Sequence, residues 1–80
     1  MKVGREEIRQ KANEAIIKVL GVKPQEIKPA EKLYDSLGVD STEMVELVIA
    51  LSKAFDIKLT AKEITKFNSI DEIVEIIKNK

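Results

Sequence analysis

Residues 40–55, with the sequence DSTEMVELVIALSKAF, contain the pattern that decides the fold of this chain. Apolar residues recur there at spacings of three and four, which is typical of an amphipathic α-helix. Asp40 and Glu43 have the spacing of a capping box, so we expect the helix to begin at residue 40 or 41 and to end near residue 55. At about 100° per residue, one arc of roughly 100° collects the apolar residues that we expect to be buried: Met44, Leu47, Val48, Leu51 and Phe55.

Three further helices are predicted on either side of this segment. An amphipathic stripe indicates a first helix over about 5–20, followed by a glycine suited to a left-handed C-terminal cap. Beyond the central helix, the stretches TAKE and SIDE have the S/T-x-x-E form of helix starts. They predict a short third helix over about 61–67 and a fourth helix over about 70–78.

Residues 21–40 hold two prolines and no sustained helical stripe, so we expect a long loop between helices 1 and 2, with a short turn or helical piece inside it. The apolar residues that should anchor this loop are Val22, Ile27, Leu33 and Leu37. The chain is therefore predicted to be one all-α domain over residues 1–80. Its expected architecture is a small four-helix bundle of three main helices plus a short third helix.

The composition excludes several classes of function. The 14 basic residues equal the 14 acidic residues in number, which argues against nucleic-acid binding driven by charge. With no Cys and no His, disulfides, thiolate nucleophiles and the usual zinc sites are excluded, so we expect no metal. The sequence has no segment with the length and apolarity of a membrane span or a signal peptide, so we expect a cytoplasmic protein.

Val45 and Ile49 fall outside the apolar arc of helix 2. They lie one turn apart, Ser41 lies one turn before Val45, and Glu46 lies beside this line. One interpretation is that two exposed aliphatic side chains need no partner. The other is a docking patch that begins at a serine. Because residues 35–56 hold five acids and one Lys, the partner of such a patch should be basic.

Ser41 should face solvent at the start of helix 2, whereas Ser36 precedes a Leu-Gly turn and is expected to be a loop hydroxyl. A nucleophilic serine needs a nearby base, and the chain has no His. A Ser–Lys pair is conceivable, but the spacing indicates no particular Lys. Ser41 is therefore either an ordinary first-turn residue or a hydroxyl that another enzyme modifies. A phosphate attached there would lie next to the free N–H groups of the first turn.

The segment LGVDSTEMVELVIALSKAFDIKL, residues 37–59, resembles the carrier segment of acyl carrier proteins. Their pattern is L-G-x-D-S-L, then V-E-L, then an apolar run that ends in E-F-D. The preceding helix, the long loop, the short third helix and the last helix agree with the family, so the resemblance covers nearly the whole chain. The residues in register are Gly38, Asp40, Ser41, Val45-Glu46-Leu47, Ala50-Leu51 and Phe55-Asp56.

The resemblance implies a carrier protein and not an enzyme. In this family a phosphopantetheinyl transferase moves 4′-phosphopantetheine from coenzyme A onto a serine, which matches Ser41, and Asp40 matches the recognition acid before it. The arm ends in a thiol that holds an acyl group as a thioester, and an imported thiol fits a chain without Cys. Glu46 matches an acid of the family's partner-recognition helix, and Val45 and Ile49 match its exposed apolar positions.

The resemblance also implies the partners and the cargo. Enzymes that transfer or modify acyl groups would meet the carrier through basic docking patches, in fatty-acid, polyketide or specialised lipid synthesis. The carrier itself is expected to be a monomer. An acyl chain that the protein shelters would enter the aliphatic interior near Leu51, Phe55, Leu59, Ile64 and Phe67.

The chain departs from the family pattern at three positions of helix 2. Thr42, which borders the arm and the partner face, stands where the family usually has Leu. Ser52 and Lys53 occupy positions that are commonly acidic, and the whole chain is neutral where fatty-acid carriers are strongly acidic. These differences indicate a specialised carrier with a restricted set of partners, or ordinary drift on a solvated surface.

Three functions therefore stay open. The first is an acyl carrier, which Asp40 favours because peptidyl carriers often have His at that position. The second is an aminoacyl, peptidyl or other specialised carrier. The third is a non-carrier helical module whose Val45 and Ile49 patch binds a partner while Ser41 stays unmodified. Replacing Ser41 with Ala would abolish the first two functions and leave the third intact.

Overall fold

Four α-helices make up the computed structural model, which describes residues 4–80. Residues 1–3 of the expected 1–80 domain lie outside the described residues. A short 3-10 helix, Pro24–Glu26, lies between the first two α-helices. No β-strand occurs within residues 4–80, and the predicted all-α class is confirmed. The helices are α1 at Arg5–Leu20, α2 at Leu33–Leu37, α3 at Ser41–Phe55 and α4 at Ile70–Lys78.

None of the helices in residues 4–80 combines the length and the apolar content that crossing a membrane requires.

Both α3 and α4 begin with a complete capping box. Asp40 Oδ1 accepts the Glu43 N–H at 2.8 Å, and Glu43 Oε1 accepts the Asp40 N–H at 3.0 Å. At α4, Ser69 Oγ accepts the Glu72 N–H at 3.2 Å, and Glu72 Oε1 accepts the Ser69 N–H at 2.8 Å. Each box pairs two backbone N–H groups at the helix start, one of them a first-turn donor that helix geometry leaves without a partner.

Three helices end at a residue in the left-handed conformation. Gly21 closes α1 with a φ of 68°, and Gly38 closes α2 with a φ of 65°. The third is Asp56, which closes α3 with a φ of 52°. A side chain in this conformation costs roughly 1–2 kcal/mol, and Asp is among the residues that tolerate it best. Gly38 therefore lets the chain turn sharply between α2 and α3.

The core is mainly aliphatic, with Phe55 as its one aromatic member among the described residues, and lies between α1, α3 and α4, with α1 packed against both of the others. The apolar arc predicted for helix 2 is the buried face of α3. Leu33, the first residue of α2, and Val39, in the connection to α3, are also fully buried, whereas Val22, Ile27 and Leu37 are half-buried against the core. The buried residues of α1 and α4 are Ile8, Ala12, Ile16, Ile70, Ile73, Val74 and Ile77.

The long first loop is fastened to the segment before α4 by backbone hydrogen bonds. The Leu33 N–H donates to the Asn68 carbonyl at 2.9 Å, and the Tyr34 N–H donates to the Lys66 carbonyl at 2.8 Å. These bonds hold α2 in place, since a five-residue helix has little stability of its own. As a result, only the short stretch 38–40 connects a fixed α2 to the start of α3.

The predicted short helix over 61–67 is wrong, because these residues form turns. The Ile64 N–H donates to the Thr60 carbonyl at 3.2 Å, which closes one helical turn. The next donor leaves the pattern, because the Thr65 N–H donates to Asn68 Oδ1 at 2.8 Å. A side chain thus competes with the backbone for the hydrogen bond that would extend the helix. The short helix of the bundle is α2, inside the loop where a helical piece was expected.

Candidate functional site

The Ser41 hydroxyl is free because its neighbour caps the helix. Ser41 is the exposed first residue of α3, and the Asp40 carboxylate fills the N-cap position. Within the described part of the chain, the Ser41 hydroxyl makes no hydrogen bond to another residue. Ser36 differs, because it lies in α2 and its hydroxyl donates to the Lys32 carbonyl at 3.1 Å. Of the two serines that follow an Asp, only Ser41 presents an unused hydroxyl to solvent.

The surroundings of Ser41 favour an attached anion and do not make the hydroxyl a nucleophile. A helix of 15 residues begins at Ser41, so the partial positive charge of its N-terminus lies beside the hydroxyl. A phosphate joined to this oxygen would be stabilised by that field and by the first-turn N–H groups. In residues 4–80 no side chain within hydrogen-bonding distance of the hydroxyl is positioned to remove its proton. The described residues also contain no group of three or more side chains arranged to hold a metal ion.

The side chains expected beside Ser41 on the outer face of α3 are exposed. Val45 is 48% exposed and Ile49 is 51% exposed, although both are aliphatic. Thr42 and Glu46 are also exposed. Ser41, Val45 and Ile49 follow one another at one-turn intervals, so they form a line along the helix. We call these three residues the outer line of α3.

Asp40 has the capping role that its spacing from Glu43 predicted, in addition to its match to the acid of the family pattern. One of its carboxylate oxygens accepts the Glu43 N–H and so begins α3. Asp40 is nevertheless exposed, so its charge is also accessible to a partner. Any change at this position therefore acts on the helix start and on the surface charge together, unless the replacement keeps the cap.

Ser52, one of the departures from the family pattern, has a structural role. Its hydroxyl donates to the Val48 carbonyl at 2.8 Å and accepts the Leu59 N–H at 3.3 Å. The Ile57 N–H donates to the Ser52 carbonyl at 3.1 Å. Ser52 thus fastens the chain that follows α3 back onto the helix. A carboxylate in its place would lack the donor that reaches Val48.

The candidate acyl-pocket residues do not all lie together. Leu51, Phe55, Leu59 and Ile64 belong to the buried core, with exposures of 0 to 7%. The interior position expected for Phe67 is wrong, because Phe67 is 56% exposed. The physical reason is the turn that replaces the predicted third helix, since Phe67 lies in that turn and is not on a buried helical face.

Sequence reasoning missed an exposed aromatic pair. The ring centroids of Tyr34 and Phe67 are 5.9 Å apart, and Tyr34 is 50% exposed. Lys66 Nζ lies 5.2 Å from the Tyr34 centroid and 5.6 Å from the Phe67 centroid. The available signal was the four-residue spacing of Leu33 and Leu37, which buries one face of a short helix and leaves Tyr34 on the other. These aromatic and cation–π contacts hold α2 against the segment before α4.

The site thus combines a free, exposed serine hydroxyl at a helix start with an exposed aliphatic line on a small helical bundle. A family model described as "Phosphopantetheine attachment site" matches residues 10–77. The chain belongs to this family. Its members bind 4′-phosphopantetheine covalently and are carrier domains, not catalytic domains. Carrier domains of this kind are modified by a phosphopantetheinyl transferase and interact with enzymes.

Proposed function

We propose that the chain is an acyl carrier protein and that its Ser41 hydroxyl bears the 4′-phosphopantetheine arm. The observation that supports this most directly is the free, exposed hydroxyl at the start of α3. In the modification, the Ser41 oxygen forms a bond to the phosphorus that carries pantetheine in coenzyme A. The phosphoanhydride bond breaks, adenosine 3′,5′-bisphosphate leaves, and the hydroxyl proton passes to a base of the transferase.

The outer line of α3 is proposed to be the surface on which partner enzymes dock. Val45 and Ile49 supply exposed apolar area next to the arm, and apolar anchors at the centre of an interface carry much of its binding energy. Glu46 and Thr42 flank this line. Glu46 attracts basic patches on partners, which mainly raises the association rate and orients the encounter.

The cargo is proposed to be an acyl group of fatty-acid, polyketide or specialised lipid synthesis, held as a thioester on the arm. The flexible arm then keeps the acyl group at a high local concentration near each docked enzyme. If the protein shelters the acyl chain, the proposed space for it lies among Leu51, Phe55, Leu59 and Ile64. Because these side chains are packed in the core, they must separate to admit it.

The test is the intact mass of the protein after incubation with coenzyme A, Mg²⁺ and a broad-specificity phosphopantetheinyl transferase. The parent chain and Ser36→Ala should each gain one phosphopantetheine, whereas Ser41→Ala should gain none. Ser36→Ala is the matched control, because it also removes an Asp-Ser hydroxyl. Labelling of folded Ser41→Ala, or no labelling of the parent by several transferases, would rule the proposal out.

The acyl cargo is tested separately on the labelled protein. Acyl-transferring enzymes and amino-acid-activating enzymes are each supplied with the labelled chain, and thioester formation is followed by mass. Acylation by the first group is the expected result. Loading by the amino-acid-activating enzymes alone would make the protein an aminoacyl or peptidyl carrier.

A further inference from the structure

A groove between α1 and α3 is not used by the serine site. It has a volume of about 710 Å³ and is open to solvent. Its apolar lining comes mainly from small side chains, which leave space between the two helices where longer ones would fill it. The apolar residues that line the groove are Ala15, Val19, Ala50 and Ala54.

Three lysines surround this apolar lining. Lys11 and Lys18 come from α1 and Lys53 comes from α3, and Glu14 is the one acidic residue that lines the groove. Three positive charges and one negative charge leave a net charge of +2. Among the ion pairs of residues 4–80, none includes any of the three lysines. Lys11 Nζ lies 5.8 Å from the ring centroid of Phe55, whereas Lys18 and Lys53 have no such aromatic contact within residues 4–80, so the charges of these two are the most available to a ligand.

Lys53 also connects the groove to the outer line of α3. It follows Ile49 by one helical turn, and Ala50 lies between them in sequence on the side that faces the groove. The other end of α3 is acidic, with Asp40, Glu43 and Glu46 near the serine. The exposed surface of α3 thus runs from an acidic end at Ser41 to Lys53 at the groove, and the exposed acid Asp56 follows at the C-cap.

We propose that the groove is a docking site for an acidic segment of a partner enzyme that also engages the outer line of α3. An apolar side chain of that segment rests on the alanines, and its carboxylates meet Lys11, Lys18 and Lys53. This inference rests on the proposed carrier function, because it extends the same docking face. The partner then has a basic region for the serine end and an acidic region for the groove end, and a reversed orientation would place like charges together.

The charge pattern favours a protein segment over an anionic membrane as the occupant. A flat anionic surface that reached Lys53 would also approach Glu46 on the same exposed side of α3, and like charges would repel. A segment of a protein, in contrast, can place its carboxylates only over the groove.

The test is an NMR titration of the ¹⁵N-labelled full chain with two synthetic helical peptides. The first peptide carries leucines on one face and glutamates beside them, and the second has lysines in place of the glutamates. The glutamate peptide should shift the amides of Ala15, Ala50 and Lys53. It should bind at least about ten-fold more tightly than the lysine peptide, since opposite charges meet only in the first case.

Two variants separate charge from shape. The double variant Lys18→Glu with Lys53→Glu should lower the affinity for the glutamate peptide by at least about ten-fold. Ala54→Leu fills the groove without changing its charge and should also lower this affinity. The control is Lys58→Glu with Lys62→Glu, which makes the same change in net charge at two exposed lysines outside the groove lining and should bind the peptide nearly as the parent does.

Equal binding of both peptides, or equal weakening by the control, would overturn the proposal. So would binding to vesicles of anionic lipid without any binding of the glutamate peptide, which would make the groove a lipid site. The parent and each variant are also tested for phosphopantetheine attachment. Absence of attachment in every protein, the parent included, would reject the carrier function, whereas normal attachment with no peptide binding would reject the groove alone.

Discussion

The starts of α3 and α4 share one local motif but differ in what they leave exposed. At α4 the cap is Ser69, whose hydroxyl accepts the Glu72 N–H and which is only 6% exposed. At α3 the cap is Asp40, and Ser41 follows it on the surface with its hydroxyl unused. The hydroxyl oxygen of a serine that caps a helix accepts a backbone N–H, whereas a serine that follows a capping carboxylate has a hydroxyl without that hydrogen bond.

The two helices also differ in the exposure of their fifth residue, which is a valine in both. Val45 is the fifth residue of α3 and is 48% exposed, and Val74 is the fifth residue of α4 and is 1% exposed. Both starts are capped in the same way, so capping does not decide which face is buried. The packing contacts along the rest of each helix decide which face is buried. They place the valine of α3 on the surface and the valine of α4 in the core.

The largest expected difference separates Ser41→Ala from Ser69→Ala. Ser41→Ala should abolish phosphopantetheine attachment and change the free energy of unfolding by no more than about 0.5 kcal/mol, as exposed substitutions usually do. Ser69→Ala should keep full attachment and lose about 1 kcal/mol, because a capping oxygen is removed. Intact mass and urea unfolding measure the two quantities. A similar loss of stability in both variants would remove the distinction between the two serines.

The two valines are expected to separate docking from stability. Val45→Ala should leave the free energy of unfolding nearly unchanged and lower kcat/KM of a partner enzyme by roughly five-fold, which corresponds to about 1 kcal/mol of apolar contact. Val74→Ala should lose about 2 kcal/mol of stability through a cavity. Under conditions in which Val74→Ala is folded, the partner enzyme should act on it with the same kcat/KM as on the parent. A partner that treats Val45→Ala as it treats the parent would place the docking surface elsewhere.

The parts of the fold that depend on near neighbours were open to prediction from the sequence. The capping pairs Asp40/Glu43 and Ser69/Glu72 form as their three-residue spacing indicates, and the buried stripe of α3 follows helical periodicity. The turn at 61–67 was not predictable in this way. The TAKE stretch resembles a helix start, but the Asn68 side chain accepts the Thr65 N–H that would extend the helix.

Tertiary placement accounts for what the sequence did not show. Val39 occupies a variable position of the family pattern, yet it is 2% exposed and belongs to the core. The exposed Phe67 beside Tyr34 depends on how the turn meets α2. The lysine-rimmed groove requires two helices that are distant in sequence to be placed side by side. Each of these features depends on contacts between residues that are distant in the sequence. Such contacts leave no periodic pattern in a single amino-acid sequence.

Two substitutions at Asp40 should distinguish its structural role from its electrostatic role. Asp40→Ala removes the cap of α3 and should lose about 1 kcal/mol of stability. Asp40→Asn keeps an N-cap acceptor and should stay within about 0.5 kcal/mol of the parent, yet it removes the negative charge beside Ser41. The measurement is the rate of phosphopantetheine attachment next to urea unfolding. We expect both variants to be labelled more slowly. Parent-like labelling of Asp40→Asn would leave Asp40 with the capping role alone.

The smallest expected effect concerns acid and the start of α4. The Ser69 N–H donates to the Glu72 carboxylate and, with Asn68, holds the pKa of Glu72 below its ordinary value of 4.5. A depressed pKa in the folded state contributes stability that is fully present above the unfolded pKa and is lost as pH falls through the folded one. Glu72→Gln keeps an acceptor but cannot titrate. Thermal unfolding followed from about pH 5 down to about pH 3 should therefore show a slightly smaller loss of Tm for Glu72→Gln than for the parent. Because the carboxylate is exposed and screened by solvent, the difference should be small. An equal loss of Tm in both proteins would show that the hydrogen bond to Ser69 does not favour the ionised form.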